Sequence, residues 1–558
     1  MARGDAIVRV FAMSATTIVE MHVNTGELAI DLEIGASDLG AFANILPDEL
    51  VGRMGGDTAP LLERYPVFFR ENLVIRADGG PPLMGRVVRF EGRDRVRRDD
   101  ITGEPLPLGA DAEAERVLFV RLEYDLPGQP STLTMIPPGR GASASASLGF
   151  VAYHRGVAVN DFRYMTAGME LRLDWDDPWY TSFKNRNLRR QFYAPFSAFL
   201  YAEPYESRQE IVLRPLDLQR WVDLGLEGKE VITVAEQAEV KRRVVEFFET
   251  SAPVRINGEP AEKRLDRVHF IYRNLRTSGV IDPPRDLDIY NATIGVIFYF
   301  PTDGLAESVE MDWDLFDDRV DTVPGSATDE AGALPYILSA DDATLAWQNF
   351  LQNPTIPGLV DIGTPPRLPR GWAWALAVVG MMVLSTGGFL VRAGKPRRAS
   401  FAAAVMGLGL VVFAGFQLFG GSSLSDDRSG EIVRDLLRNV YSAFDFRDED
   451  LIYDTLERTV AGDLLTDVYL ETRRGLELEN QGGARAKVKQ VEMIAAEHRE
   501  LAGEIGFEGE YTWNVYASVG HWGHVHQRVN QYVARFVVHA VDGTWRITEL
   551  ELLQEERL

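Results

Sequence analysis

The sequence predicts a multidomain membrane protein: mainly β, sandwich-like domains at the N-terminus, a two-helix transmembrane hairpin, and a smaller C-terminal α+β domain. Three observations carry this. Two uncharged apolar segments, Gly371 to Val391 and Ala399 to Gly421, stand in tandem, each at least as long as the roughly 20 apolar residues a helix needs to cross a bilayer. Before them, apolar residues recur with period 2 between turn residues. After them, helical spacing gives way to four strand-like runs.

Composition sets the outer limits. The formal net charge of −25 argues against nucleic acid as a partner, because a phosphate backbone demands a basic footprint. The chain has no cysteine, which excludes disulfides, thiol catalysis and thiolate metal sites. With 46% hydrophobic and 25% charged residues, the regions outside the apolar segments read as globular and not disordered.

Alternation begins at Val8, Val10 and Ala12, and Thr17 to Val23 and Glu27 to Ile34 flank Asn24-Thr25-Gly26 as a β-hairpin. Strand-like runs follow at 72–76, 86–90, 116–124, 131–136 and 148–154, with a short helix at 38–46. They predict a β-rich domain over 1–148. A second β-rich region with helices, one domain or two, is expected over 149–353, with strands at 169–175, 210–216, 254–256, 268–275 and 292–300. Asp217 opens one or two helical turns there. Thr233-Val-Ala-Glu236 is a capping box, and Val240, Val244, Phe247 and Phe248 form the apolar stripe of the helix it starts. Ser339-Ala-Asp-Asp342 predicts another helix through Leu345, Trp347 and Phe350, stopped at Asn353-Pro354. Residues 354–370, with Pro354, Pro357, Pro365, Pro366 and Pro369, read as a stiff linker and not as a folded element.

Two other features stand out in this region. An alternating strand ending in Asp-Trp-Asp occurs twice, at Leu171 to Asp177 and Val309 to Asp318. Clustered carboxylates are the hard ligands calcium uses, but two equivalent strands with water-facing acids give the same pattern. Arginines also concentrate in Arg86 to Arg98 and in Lys184 to Tyr193, runs suited to anionic headgroups or an acidic partner, or else simply to solvated loops.

The connector between the apolar segments, 392–398, is too short to do anything but turn the chain back, so the regions before 371 and after 421 are expected on one membrane face. Arg392, Lys395, Arg397 and Arg398 make that loop cytoplasmic by the positive-inside rule, and both large regions extracytoplasmic, or periplasmic. Export of the N-terminal region needs a signal peptide, and the first 23 residues contain no apolar stretch of that kind. Either a signal precedes Met1 or both regions are cytoplasmic.

A linker over 422–430 leads to Ile432, Val433, Leu436, Leu437, Val440, Tyr441 and Phe444, an amphipathic helix. Further helices are expected from Asp448-Glu-Asp450 and over 463–478, then strands at 485–495, 508–519, 524–540 and 544–553, with Asp542-Gly543 as a hairpin turn. Three helices followed by a curling antiparallel sheet over 428–558 resemble the NTF2-like fold. That resemblance implies a bent sheet and helices around a cone-shaped pocket. It does not imply an activity.

The pocket candidates come from Gly520-His521-Trp522-Gly523-His524-Val525-His526-Gln527-Arg528. If the strand breaks there, His524 and His526 share a face. A two-residue turn at His521-Trp522 then adds Trp513, Arg528, Asn530 and Tyr532 to that face. His-x-His on a strand also begins several sheet-based metal sites, which makes His521, His524 and His526 candidate ligands for a divalent metal. No other cofactor is expected, and no residue is assigned a catalytic role. Phosphate-loop, His-Glu-x-x-His and Gly-x-Ser-x-Gly motifs do not occur. The expected function is a membrane-anchored envelope scaffold or assembly subunit, with the bilayer and protein partners or its own copies to bind. The alternative is a small-ligand or metal-binding, hydrolytic module in the C-terminal pocket.

Overall fold

A computed structural model describes the chain apart from residues 1–10, 56–58, 99–105, 107–114, 141–142, 191–193, 274–277, 355, 357, 361, 364–369, 394–396, 420–423, 471–484 and 503–504. It divides into two units, Met1–Asn353 with Trp522–His524, and Pro354–His521 with Val525–Leu558.

In the first unit the expected hairpin forms. Thr17–Asn24 pairs antiparallel with Glu27–Ile34, and Gly26 takes φ 76° at the turn, a conformation only glycine adopts at no steric cost. Leu28, Ile30, Leu32 and Ile34 all point into the core, as their spacing of two requires. Arg116–Asp125 and Arg86–Asp94 extend this sheet on one side. Leu148–His154 joins on the other, parallel to Thr17–Asn24. A second sheet, ordered Ser182–Phe183, Met169–Arg172, Thr132–Ile136 and Val74–Ala77, shares the core through Phe183, Leu171, Leu133 and Ile75. The expected boundary at 148 is therefore displaced. Because Leu148–His154 returns beside the first strand, the chain as far as Phe183 belongs to the first core. The expected short helix appears as a 3-10 helix, Ala36–Ile45.

A second core lies between a seven-stranded sheet and a four-stranded one. Phe196–Ala202, Glu206–Leu213 and Ile294–Pro301 run through the larger sheet, the first two buried along their whole length. Helix Val234–Thr250 packs on this core with the predicted capping box in place, the Thr233 N–H donating to Glu236 Oε2 at 2.9 Å. Its buried Val240, Val244 and Phe248 contribute roughly 1.5–3 kcal/mol each. The helix expected from Ser339 is instead a strand, Thr344–Gln348, paired with Ser308–Asp312. Leu345 and Trp347, two residues apart, both enter the core, and period 2 overrides the helical signal of the Ser-Ala-Asp-Asp start.

In the second unit, helices Arg370–Arg392 and Arg397–Phe419 lie side by side. A Cβ on Gly380 would stand 3.0 Å from the Gly407 carbonyl oxygen, and one on Gly407 would stand 2.7 Å from the Leu384 nitrogen, so the absent side chains set the close approach. Among the described residues, Trp374–Arg392 is long and apolar enough to cross a membrane, and Phe401–Gly415 is a shorter apolar helix.

Helix Asp426–Ser442 follows, N-capped by Ser425, whose hydroxyl accepts from the Arg428 N–H at 3.2 Å. Its buried stripe, Ile432, Val433, Leu436 and Leu437, packs with Val491, Tyr511, Phe536 and Trp545 of an antiparallel sheet. That sheet runs in sequence order: Arg485–Glu500, Gly506–His521, His524–Val541 and Thr544–Arg557. Asp542 and Gly543, both with positive φ, make the expected turn. Helix Glu449–Glu457 is capped by Asp448, and a third helix begins at Asp463; the rest of its expected span, from 471, lies outside the described residues.

The proline-rich segment is not a free spacer. The Trp545 N–H donates to the Ile362 carbonyl at 2.9 Å, Gly363 bridges to Thr544, and Ile362 is buried in the core beneath helix Asp426–Ser442. The apolar helix pair is therefore an insertion within one folded unit. The sequence hid this because five prolines mask the apolar residues between them in any local reading.

Candidate functional site

A cleft of about 940 Å³ opens in the first unit. Each wall is set by a different element. Thr17–Asn24 supplies Glu20 and His22, and Tyr153 comes from the parallel strand beside it. Arg98 follows the strand Arg86–Asp94, Arg214 follows Glu206–Leu213, and Arg273 ends Arg264–Arg273. Trp179 sits in the 3-10 turn Pro178–Tyr180, where Asp177 Oδ1 accepts from its N–H at 3.1 Å.

The electrostatics follow from these positions. Glu20 lies 3.8 Å from His22 Nε2 and bonds Arg98. Burial works to raise its pKa, but the His22 hydrogen bond and the Arg98 charge together hold it below the ordinary carboxylate range. His22 stacks on Tyr153 with centroids 5.1 Å apart. Arg214 is fully buried and pairs with Asp177 at 2.8 Å and Asp217 at 3.0 Å. Burial lifts Asp217 above its usual value even beside this guanidinium. Arg273 Nη1 donates to Ser197 Oγ at 3.4 Å, and burial pushes its pKa down to about 10. The guanidinium groups stack on the aromatic rings, Arg190 and Arg214 over Trp179 at 4.1 and 4.6 Å and Arg98 over Phe162 at 5.3 Å. The two arginine-rich runs were the sequence signal for this site. Their convergence depends on long-range pairing that no local pattern carries.

The C-terminal candidates fare differently. The turn lies at Trp522-Gly523, both with positive φ, and not at His521-Trp522. Trp513 consequently stacks on Tyr532, ring centroids 5.5 Å apart, where the expected register set it opposite Asn530. Trp513 is buried beneath helix Asp426–Ser442, its Nε1 donating to Tyr441 Oη at 3.3 Å. Asn530 Nδ2 donates to Tyr532 Oη at 3.1 Å and to Glu555 Oε1 at 3.2 Å, and Arg528 is exposed. His521 ends one strand, and His524 and His526 lie two apart at the start of the next; their side chains fall outside the described residues. Among the described residues no group of three histidines, aspartates or glutamates is placed to hold a metal ion. The repeated acidic strands carry ion pairs instead: Asp174 with Arg319, Asp177 with Arg214 and Asp312 with Arg255.

No family model and no curated protein matches the chain. Among solved structures, the intermembrane space region of the chloroplast protein ARC6 is similar over 23% of this chain and 96% of that chain, at 18% identity and a TM-score of 0.19. A likeness this slight bears on neither fold nor function.

Proposed function

We propose that the protein is a membrane-anchored scaffold or assembly subunit of a cell envelope, with both large regions on one membrane face. The supporting observation is that a single folded unit holds both ends of the apolar helix pair. Ile362, shortly before the first helix, is bonded to Trp545, and helix Asp426–Ser442 begins shortly after the second. In this reading both helices span the bilayer, and the cationic loop stays cytoplasmic. The helices and four-stranded sheet that follow act as an NTF2-like interaction domain; the order of three helices before a meander supports that assignment.

Because the chain has no cysteine, topology can be mapped with single cysteines. In sealed, outside-out vesicles a membrane-impermeant maleimide should label Asp303→Cys and Asp542→Cys, and label Lys395→Cys only after permeabilisation. Labelling of Asp303→Cys and Asp542→Cys from opposite sides would overturn the shared face. The inverse pattern would place both regions in the cytoplasm. Chemical crosslinking in native membranes that yields a lone monomer would overturn the assembly role.

A further inference from the structure

The larger sheet of the second core is apolar on both faces. One face builds that core through Ala198, Leu200, Ile211, Leu213, Val296 and Phe298. Side chains alternate along a strand, so the residues between these point the other way. There Phe199, Tyr201, Val212, Ile271 and Ile297, from four adjacent strands, form a second apolar cluster. A sheet face left to water carries polar residues at such positions. Gly295 stands on this face, paired with Val212, and leaves a notch in it. The first unit fills the notch with Trp522, which is 0% exposed. Two glycines make the fit. A Cβ on Gly295 would overlap the Trp522 ring, and one on Gly523 would overlap the Phe199 ring. Gly523 also takes φ 80°, and its N–H donates to Glu210 Oε2 at 3.4 Å. The fit carries one flaw: Trp522 Nε1 is buried without an acceptor among the described residues. An unpaired buried donor opposes the seated state, which keeps the turn exchangeable.

We propose that this notch is a docking site for a β-turn presenting tryptophan followed by glycine, and that the chain's own Trp522-Gly523 turn occupies it as an exchangeable plug. The partner it fits is a hairpin carrying the same dipeptide with both residues at positive φ, as here. The indole fills the space over Gly295, and the following glycine lets the turn lie against Phe199. The chain's own turn competes with that partner, so access is set by the fraction of molecules with the plug out. This goes beyond the anchoring role and does not depend on it.

The probe is a fluorescent hairpin peptide with the sequence of residues 516–529, titrated into the full chain in detergent and followed by anisotropy. The chain carrying Trp522→Ala has an empty notch and should bind the peptide saturably. The parent should bind it at least about tenfold more weakly, because only molecules with the plug out are competent. A peptide carrying Trp522→Ala should bind neither chain. Gly295→Ala, added to Trp522→Ala in the chain, should abolish binding, since its Cβ takes the place of the incoming ring. If the chain with Trp522→Ala does not fold, the parent decides, by whether it prefers the tryptophan peptide to the alanine one. No binding to the emptied chain, equal binding to parent and emptied chain, or binding indifferent to the peptide's tryptophan overturns the proposal.

Discussion

Asn439 holds the backbone of Val360 in both directions. Its Oδ1 accepts from the Val360 N–H at 2.9 Å, and its Nδ2 donates to the Val360 carbonyl at 2.8 Å. Only an amide side chain offers a donor and an acceptor in this arrangement. The residue is 2% exposed, so neither bond has water as a ready substitute.

Asn439→Ala should therefore destabilise the C-terminal unit by about 2–3 kcal/mol, two buried hydrogen bonds at roughly 1–1.5 kcal/mol each. Asn439→Asp should do no better, because a carboxylate meets the Val360 carbonyl with a second acceptor. The readouts are the denaturant midpoint and the rate of proteolysis near residue 360. If Asn439→Asp is as stable as the parent, the clamp does not work as described.

His154 gives the first unit a pH dependence. It is fully buried, its Nδ1 2.7 Å from Thr181 Oγ1, and burial pushes its pKa down from 6.5 to about 4. The folded state thus binds fewer protons than the unfolded state between those values, and unfolding takes one up. Stability from this group is complete above pH 6.5 and is lost as pH falls towards 4, by roughly 3 kcal/mol. His154→Gln should flatten that part of the stability–pH curve. Equal slopes in parent and variant would count against it.

The paired apolar helices depend on bare backbone at their crossing. Gly407→Val should push them apart and lower the melting temperature of the detergent-solubilised protein, at an overpacking cost of about 1–3 kcal/mol. Gly409→Val, with nothing within 4 Å of its Cβ, is the control and should leave the melting temperature unchanged.

Arg214→Met should cost about 3–5 kcal/mol, because it leaves Asp177 buried without its guanidinium and Asp217 with that of Arg220 alone. Urea denaturation of the full chain checks this, and a shift under about 1 kcal/mol would mean the ion pairs are offset by their desolvation.

What the sequence revealed was whatever a short window can carry. The hairpin at Gly26, the capping box at Thr233 and the stripe from Ile432 to Leu437 were legible because their period or cap is local. The strand Glu206–Leu213 was legible only from Glu210 onward, since Ser207-Arg208-Gln209-Glu210 reads as surface. In fact it is buried, with Arg208 Nη1 3.2 Å from Glu210 Oε1. Thr344–Gln348 was misread because a turn resembled a helix cap. At the histidine strand the register slipped, because only the position of the positive-φ pair fixes it. The cleft was hidden for a different reason: its arginines lie far apart in sequence and are gathered by a parallel strand pairing and two separate sheets.

The contact between Val360 and Asn439 spans 79 residues, and everything between them includes the apolar helix pair. During synthesis the C-terminal core therefore cannot close until both helices have been made and have found their place. Closing it is an act of retrieval, in which a late helix and a last hairpin recapture a segment that left the ribosome first. Folding of this unit is thus ordered in time by the chain's own connectivity.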